Sequence, residues 1–242
     1  MNTAVSNDVN HRLADWSENF ARALGDALQS IVLFGGLAKG EFVPEQSDVN
    51  VLIVFRTVTR PVLDRAAPLI RQGVLEFRLA TMLVTEADLR DSADVFPIKY
   101  QDMQRHHKVL WGEDPFPKVT IAREHVRLRC EQELRNLSLR LRQSYIQRLD
   151  RPELLQAALN RAVSTLLVNL GVLLELKTGK PAQTKQDVLA KAAQLGIPLE
   201  PVREAWAVKR GEVKPDADGL RNLFASFMDA VQQSADLADK LP

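Results

Sequence analysis

The chain has 242 residues, 45% hydrophobic and 26% charged, with 32 Lys and Arg against 31 Asp and Glu and a formal net charge of +1. This composition excludes a disordered or collagen-like chain and suits one large domain or two small ones. The balanced charge gives no bulk attraction for nucleic acid or an anionic membrane. The single cysteine, Cys130, excludes an internal disulfide and is compatible with the reducing cytoplasm, the location expected here.

The polar N-terminus to His11 carries no apolar targeting core. Val9 to Leu28 reads as an amphipathic helix with Leu13, Trp16, Phe20, Leu24 and Leu28 on one face. Ser30 to Phe34 is a β-branched-rich strand ended by Gly35-Gly36. Val49 to Phe55 is a second strand, apolar almost throughout, as suits a strand covered on both faces. Pro61 to Gln72 looks helical, and Leu79 to Val84 is a third strand. Thr85-Glu86-Ala87-Asp88 then has the pattern of a capping box. Val95 to Tyr100 is expected to be a fourth strand, with Pro97 placing it at an edge or a strand start. Trp111 to Pro115 reads as a turn.

Beyond Pro117 nearly everything is helical. Helices are expected over Ile121 to Leu149, Glu153 to Lys177, Thr184 to Leu195, Leu199 to Lys209 and Asp218 to Leu241, joined by short loops as in an antiparallel bundle. The most apolar stretch, Ala162 to Leu176, is shorter than the roughly 20 residues that cross a bilayer. It reads as a buried central helix, so no membrane partner is expected. The expected architecture is α/β (α+β): a small mixed-sheet domain over residues 1–117 and an all-α bundle over residues 118–242.

The chemistry-bearing segment is Val32 to Phe55, VLFGGLAKGEFVPEQSDVNVLIVF. Gly35 and Gly36 let a backbone approach an anion closely. The short turn Leu37 to Lys39 would aim free N–H groups at it. Asp48 and Asn50 stand two apart at a strand start and so share a face. A pair of oxygen ligands there could hold a divalent ion against a phosphate.

From Leu28 to about Phe116 this pattern resembles the nucleotidyltransferase superfamily of the DNA polymerase β type, in its minimal, kanamycin-nucleotidyltransferase-like branch. A Gly-Ser or Gly-Gly pair follows one strand, Asp-x-Asp opens the next, and a third carboxylate arrives from a later strand. The segment from Asp94 to Pro115 also resembles the end of the catalytic domain in bacterial relatives of unassigned role. The helical remainder is similar in kind to the C-terminal bundles of the branch. The resemblance implies that Gly35, Gly36, Lys39 and Ser47 contact the phosphates and that Asp48 is the chief metal ligand, with Mg2+ as cofactor. It also implies transfer of an NMP from an NTP to a hydroxyl.

Two positions depart from the family pattern. Asn50 stands where a second aspartate is usual, and an amide oxygen can ligate Mg2+ without bringing charge. Lys99, in FPIKY, stands where an acidic residue is common. With Asp48 alone opposed by Lys99, the site loses its formal negative charge. Unit charges about 4 Å apart interact by roughly 4 kcal/mol at an effective dielectric of 20. Weak Mg2+ binding and impaired catalysis are therefore expected, with Lys99 paired to Asp48 and nucleotide binding retained. An active Mg2+-dependent transferase and a non-catalytic regulatory or binding protein remain open as alternatives, as do the acceptor, the choice of NTP and a homodimer.

Other candidates have plainer readings. Asp94 and Asp102 read as caps, and Glu41 and Glu45 as solvent-facing. Adjacent His106 and His107 are a poor metal pair. His11 and His125 have no ligand partner at a suitable spacing. Lys177 to Lys180, KTGK, follows a helix rather than a strand and reads as a helix C-terminus. The arginines from Arg123 to Arg148 read as a solvated, ion-paired face. Cys130, Trp206 and Phe227 read as packing residues.

Overall fold

The computed structural model describes residues 2–43, 47–182 and 184–241. The chain divides into two compact units, Met1–Ile121 and Ala122–Pro242. In the first, helix α1 (Asn2–Leu24) leads through a 3-10 turn to strand β1 (Leu28–Phe34), the four-residue helix α2 (Gly36–Lys39) and strand β2 (Val49–Phe55). Helix α3 (Arg60–Phe77), strand β3 (Leu79–Thr85), helices α4 (Glu86–Asp91) and α5 (Pro97–Arg105), and strand β4 (His107–Gly112) follow. The sheet order is β3-β2-β1-β4. β1 runs antiparallel to β2 and β4, whereas β2 and β3 are parallel. A parallel neighbour needs a crossover, which α3 provides.

Both faces of the sheet are covered, which explains the unbroken apolar run of β2. On one face Ile31, Leu33, Val51 and Ile53 pack with Trp16, Phe20 and Leu24 of α1 and with Ala66 and Phe77 of α3. Trp16 is fixed there by donating its indole N–H to the Leu69 carbonyl at 2.8 Å. On the other face Val32, Phe34, Leu52 and Val54 pack with Leu89, Tyr100, Met103 and Phe116.

The expected strand at Val95 to Tyr100 is instead the start of helix α5. Pro97 sits in its first turn, where the missing N–H would have had no helical partner anyway. Pro97, Tyr100 and Met103 are buried at steps of three, the helical spacing, so the apolar alternation was a helix face. The fourth strand is His107–Gly112, which overlaps the expected turn. The helix expected to reach Leu28 ends at Leu24, so Leu28 opens β1. The capping box at Thr85 and Asp88 is present.

The second unit contains α6 (Arg123–Arg148), α7 (Pro152–Thr178), α8 (Lys185–Lys191), α9 (Glu200–Lys209) and α10 (Ala217–Lys240). The helix expected to run from Thr184 to Leu195 breaks after Lys191 into a 3-10 turn, Ala192–Leu195. By length and composition α7 could cross a membrane, but Leu159, Val163, Leu166, Leu170 and Leu173 are buried within the unit. Helix α7 packs against α6, α8, α9 and α10, with Cys130 and Phe227 fully buried.

Candidate active site

The glycine turn and the Asp-Val-Asn segment meet at one end of the sheet. Gly35 has φ 75° and ψ −151°, a backbone open to glycine at little cost. A side chain there would also bring a Cβ to 3.1 Å from the Asn50 amide nitrogen. Gly36 has an ordinary φ, and its nearest neighbour to an added Cβ would be the Glu41 carbonyl at 3.7 Å. The serine usual at that position would therefore fit. The amide of Asn50 donates to the Asp48 carbonyl at 3.2 Å. Ser47 is a loop closer: its hydroxyl accepts from the Val43 N–H at 3.0 Å, and its own N–H reaches the Val43 carbonyl at 2.9 Å. Glu41 is exposed, and Glu45 lies outside the described residues.

Strand register identifies what faces Asn50. It pairs with Phe34 on β1 and Ala80 on β3, and Phe34 pairs with His107 on β4. Residues opposite one another share a face. No second carboxylate enters this row. Both ring nitrogens of His107 face acceptors, the Met103 carbonyl at 2.8 Å and Asp114 at 3.3 Å, and its ring packs on Phe116. It serves packing rather than ligation. His106 caps α5 through the Asp102 carbonyl.

The cation beside Asp48 is Arg78, not Lys99. Arg78 donates from Nε at 3.1 Å and Nη2 at 2.9 Å to the same oxygen, Oδ1 of Asp48. Lys99 is carried by α5, and its amine lies 5.6 Å from the centre of the Phe34 ring, a cation–π placement. It thus approaches the Asn50 row from above the sheet instead of extending from a strand. Lys39 is tied at 2.7 Å to Asp102 on α5. That pair links the glycine turn to the helix above it and gives Asp102 a partner rather than a metal. Asp94 is exposed in the turn before α5.

These residues do not fit a divalent ion as the resemblance implied. Among the described residues no group of three His, Cys, Asp or Glu could hold a metal. One oxygen of the Asp48 carboxylate is already engaged by the Arg78 guanidinium, in a pair that is about half exposed. Arg78 is a residue that sequence reasoning missed. It directly precedes strand β3, whose first residue Leu79 pairs with Val49, so residue 78 lies level with Asp48 only through that register, which no local motif announces.

The helical unit contains a second basic cluster. Lys185, Lys209 and Arg210 lie 5.5, 5.9 and 5.9 Å from the Trp206 ring centre. Burial, then the nearby charge of Lys185, lowers the Lys209 ammonium below its ordinary range. Lys209 bonds Ser164, and Arg210 pairs with Glu212 at 2.6 Å. The Trp206 indole nitrogen is buried without a hydrogen-bond partner. Trp206 is therefore a half-buried platform for cations, more than the packing residue expected. On α6 the arginines pair with Glu131, Glu133 and Asp236; the Arg129 and Arg135 pairs are part-exposed, whereas the Arg127–Glu131 pair is mostly buried and not part of the solvated face expected. The KTGK segment is a helix end closed by left-handed Gly179.

Residues 16–107 match a family model described as a nucleotidyltransferase domain. No curated protein sequence matches the chain. In fold the chain is similar to spectinomycin adenyltransferase AAD(9) from Enterococcus faecialis, a crystal structure with ATP and spectinomycin. The match has a TM-score of 0.58 and 14% identity, and covers 95% of this chain and 99% of that one. The residues matched by the family model include the glycine turn, the Asp-Val-Asn strand end and most of the mixed sheet, so the N-terminal unit is similar to a nucleotidyltransferase domain, followed in this chain by an all-helical unit.

Proposed function

We propose that this protein binds a nucleoside triphosphate at the glycine turn of its nucleotidyltransferase-like domain and is impaired in NMP transfer. The observation that carries the reading is the absence of any further acid from the strand-end row that continues from Asp48, in which Asn50 stands between Phe34 and Ala80. Nucleotidyl transfer in this superfamily generally uses Mg2+ held by several carboxylates. Here Asn50 contributes no charge, Ala80 contributes no ligand, and Arg78 opposes the charge of Asp48. What the site retains is a close backbone approach at Gly35 and Gly36 with Lys39 and Lys99 nearby, which suits an anion better than a cation. The fold of an adenyltransferase solved with ATP and a small-molecule acceptor supports a nucleotide as ligand. A reducing cytoplasm, where NTP is abundant, is the proposed location.

Calorimetric titration with ATP, with and without Mg2+, tests the reading alongside an assay for pyrophosphate release. The expected result is ATP binding that changes little on adding Mg2+ and no pyrophosphate above background. Strongly Mg2+-dependent binding accompanied by pyrophosphate release would instead establish a working transferase.

A further inference from the structure

Among the described residues Arg78 is the sole non-glycine with a positive φ, 57° with ψ 45°, at the end of helix α3. Glycine is the usual occupant of such a left-handed helix end, and a long side chain there is held against a local steric cost. The backbone around it is fixed from both directions. Its N–H closes α3 onto the Gly73 and Val74 carbonyls, and its carbonyl accepts the Val49 N–H at 3.1 Å. Val49 directly follows Asp48. The unusual backbone therefore places the guanidinium level with the carboxylate, and two of its nitrogens converge on one carboxylate oxygen.

We infer that Arg78 is a built-in counter-cation that competes with divalent metal for Asp48 and holds the nucleotide site in a low-metal-affinity state. The inference rests on the site reading above and assigns the loss of metal affinity mainly to one residue, rather than to the missing acids. A guanidinium and a divalent ion on the same carboxylate repel each other, and the ion must either displace the arginine or bind beside it. Because the pair is about half exposed, 55% for Arg78 and 53% for Asp48, solvent screens that repulsion and the effect is moderate rather than absolute. Lys99 over Phe34 adds a second cation to the same side of the sheet but makes no ion pair with Asp48.

The backbone suggests the variant. Arg78→Gly removes the guanidinium and suits the left-handed conformation, so the fold should be kept or improved. Arg78→Asn, also tolerated in that conformation, is the second variant. Full-length wild type, both variants, Asp48→Asn and the Arg78→Gly/Asp48→Asn double variant are titrated with Mn2+ alone, with free Mn2+ read by electron paramagnetic resonance. Thermal melting confirms folding of each. The expected result is weak binding by wild type, affinity raised about tenfold by Arg78→Gly, and loss of that gain in the double variant. Wild-type and Arg78→Gly affinities that are equal and weak would overturn the inference and leave the incomplete-acid reading standing. A gain that survives Asp48→Asn would overturn it too, by locating the metal elsewhere. Tight Mn2+ binding by wild type would overturn both.

Discussion

Gly35 and Gly36 show how neighbouring glycines can answer to different constraints. Gly35 is required by its backbone and by Asn50, whereas Gly36 faces ordinary van der Waals distances. Gly35→Ala should destabilise the N-terminal unit by about 1–3 kcal/mol, the cost of holding an alanine in a backbone region that is essentially glycine's alone. Gly36→Ser should stay within about 0.5 kcal/mol of wild type. Urea unfolding of the two variants distinguishes these outcomes. Lys39 gives a functional prediction at the same scale. Its pair with Asp102 is part-exposed, so it contributes about 0–1 kcal/mol to stability. Asp102→Asn should therefore leave the melting temperature nearly unchanged while raising ATP affinity, because Lys39 then faces the glycine turn without a competing carboxylate. Equal ATP affinity by calorimetry would show that Lys39 does not contact the nucleotide. The glycine pair and Asp48 were legible in the sequence because both motifs are local. The partner of Asp48 was not, because Arg78 is thirty positions away and meets it only through the β2–β3 register.

Among the elements, α4 and α5 separate local from tertiary control. The α4 capping box is readable because all its atoms belong to four consecutive residues. The Thr85 hydroxyl accepts the Asp88 N–H at 3.1 Å, and the Asp88 carboxylate accepts the Thr85 N–H at 2.8 Å. Thr85→Ala should cost about 1 kcal/mol. Hydrogen bonds from Thr85, backbone first and hydroxyl second, hold the Asp88 carboxyl below its ordinary range. A group with a lowered folded-state pKa stabilises the fold above its unfolded-state value and loses that contribution as pH falls through the folded value. The penalty of Asp88→Asn, measured by chemical denaturation, should therefore be constant above about pH 5 and shrink below about pH 4. A penalty that does not vary with pH would show that the capping carboxylate is not ionised in the fold. Helix α5 was misread because Val95 to Tyr100 supports either period over so short a run, and β propensity with an edge proline favoured a strand. The deciding contact is made by Tyr100 of α5, whose side chain is wholly buried with its hydroxyl 2.9 Å from that of Ser92.

At the scale of the whole molecule, each unit has its own core. Cys130 reports on the helical one. It is fully buried, its sulfur lies 3.6 Å from the Asn169 carbonyl, and burial, assisted by Glu133 and Glu131, pushes its thiol up to about 12. Thiolate is the reactive form, so a disulfide reagent at pH 8 should label native protein at least about a hundredfold more slowly than urea-unfolded protein. Rapid native labelling would mean that the α6–α7 packing opens readily. Leu166 in the same core is fully buried on α7, and Leu166→Ala should cost about 2–5 kcal/mol, raising the labelling rate as the unit is destabilised.

The sequence by itself determined the layered character of the N-terminal unit, the helical character of the rest and the pairing of a glycine turn with a half-acidic strand end. These properties follow from periodicity and from residues close together in the chain. Only the tertiary structure decided which cation pairs with Asp48, that Lys99 belongs to a helix above Phe34, and that Ala80 stands opposite Asn50. Those outcomes depend on strand order and register, and a shift of one residue turns every side chain to the other face. Electrostatic pairing falls off steeply with distance, so the chemistry of the site was fixed by that register rather than by any motif.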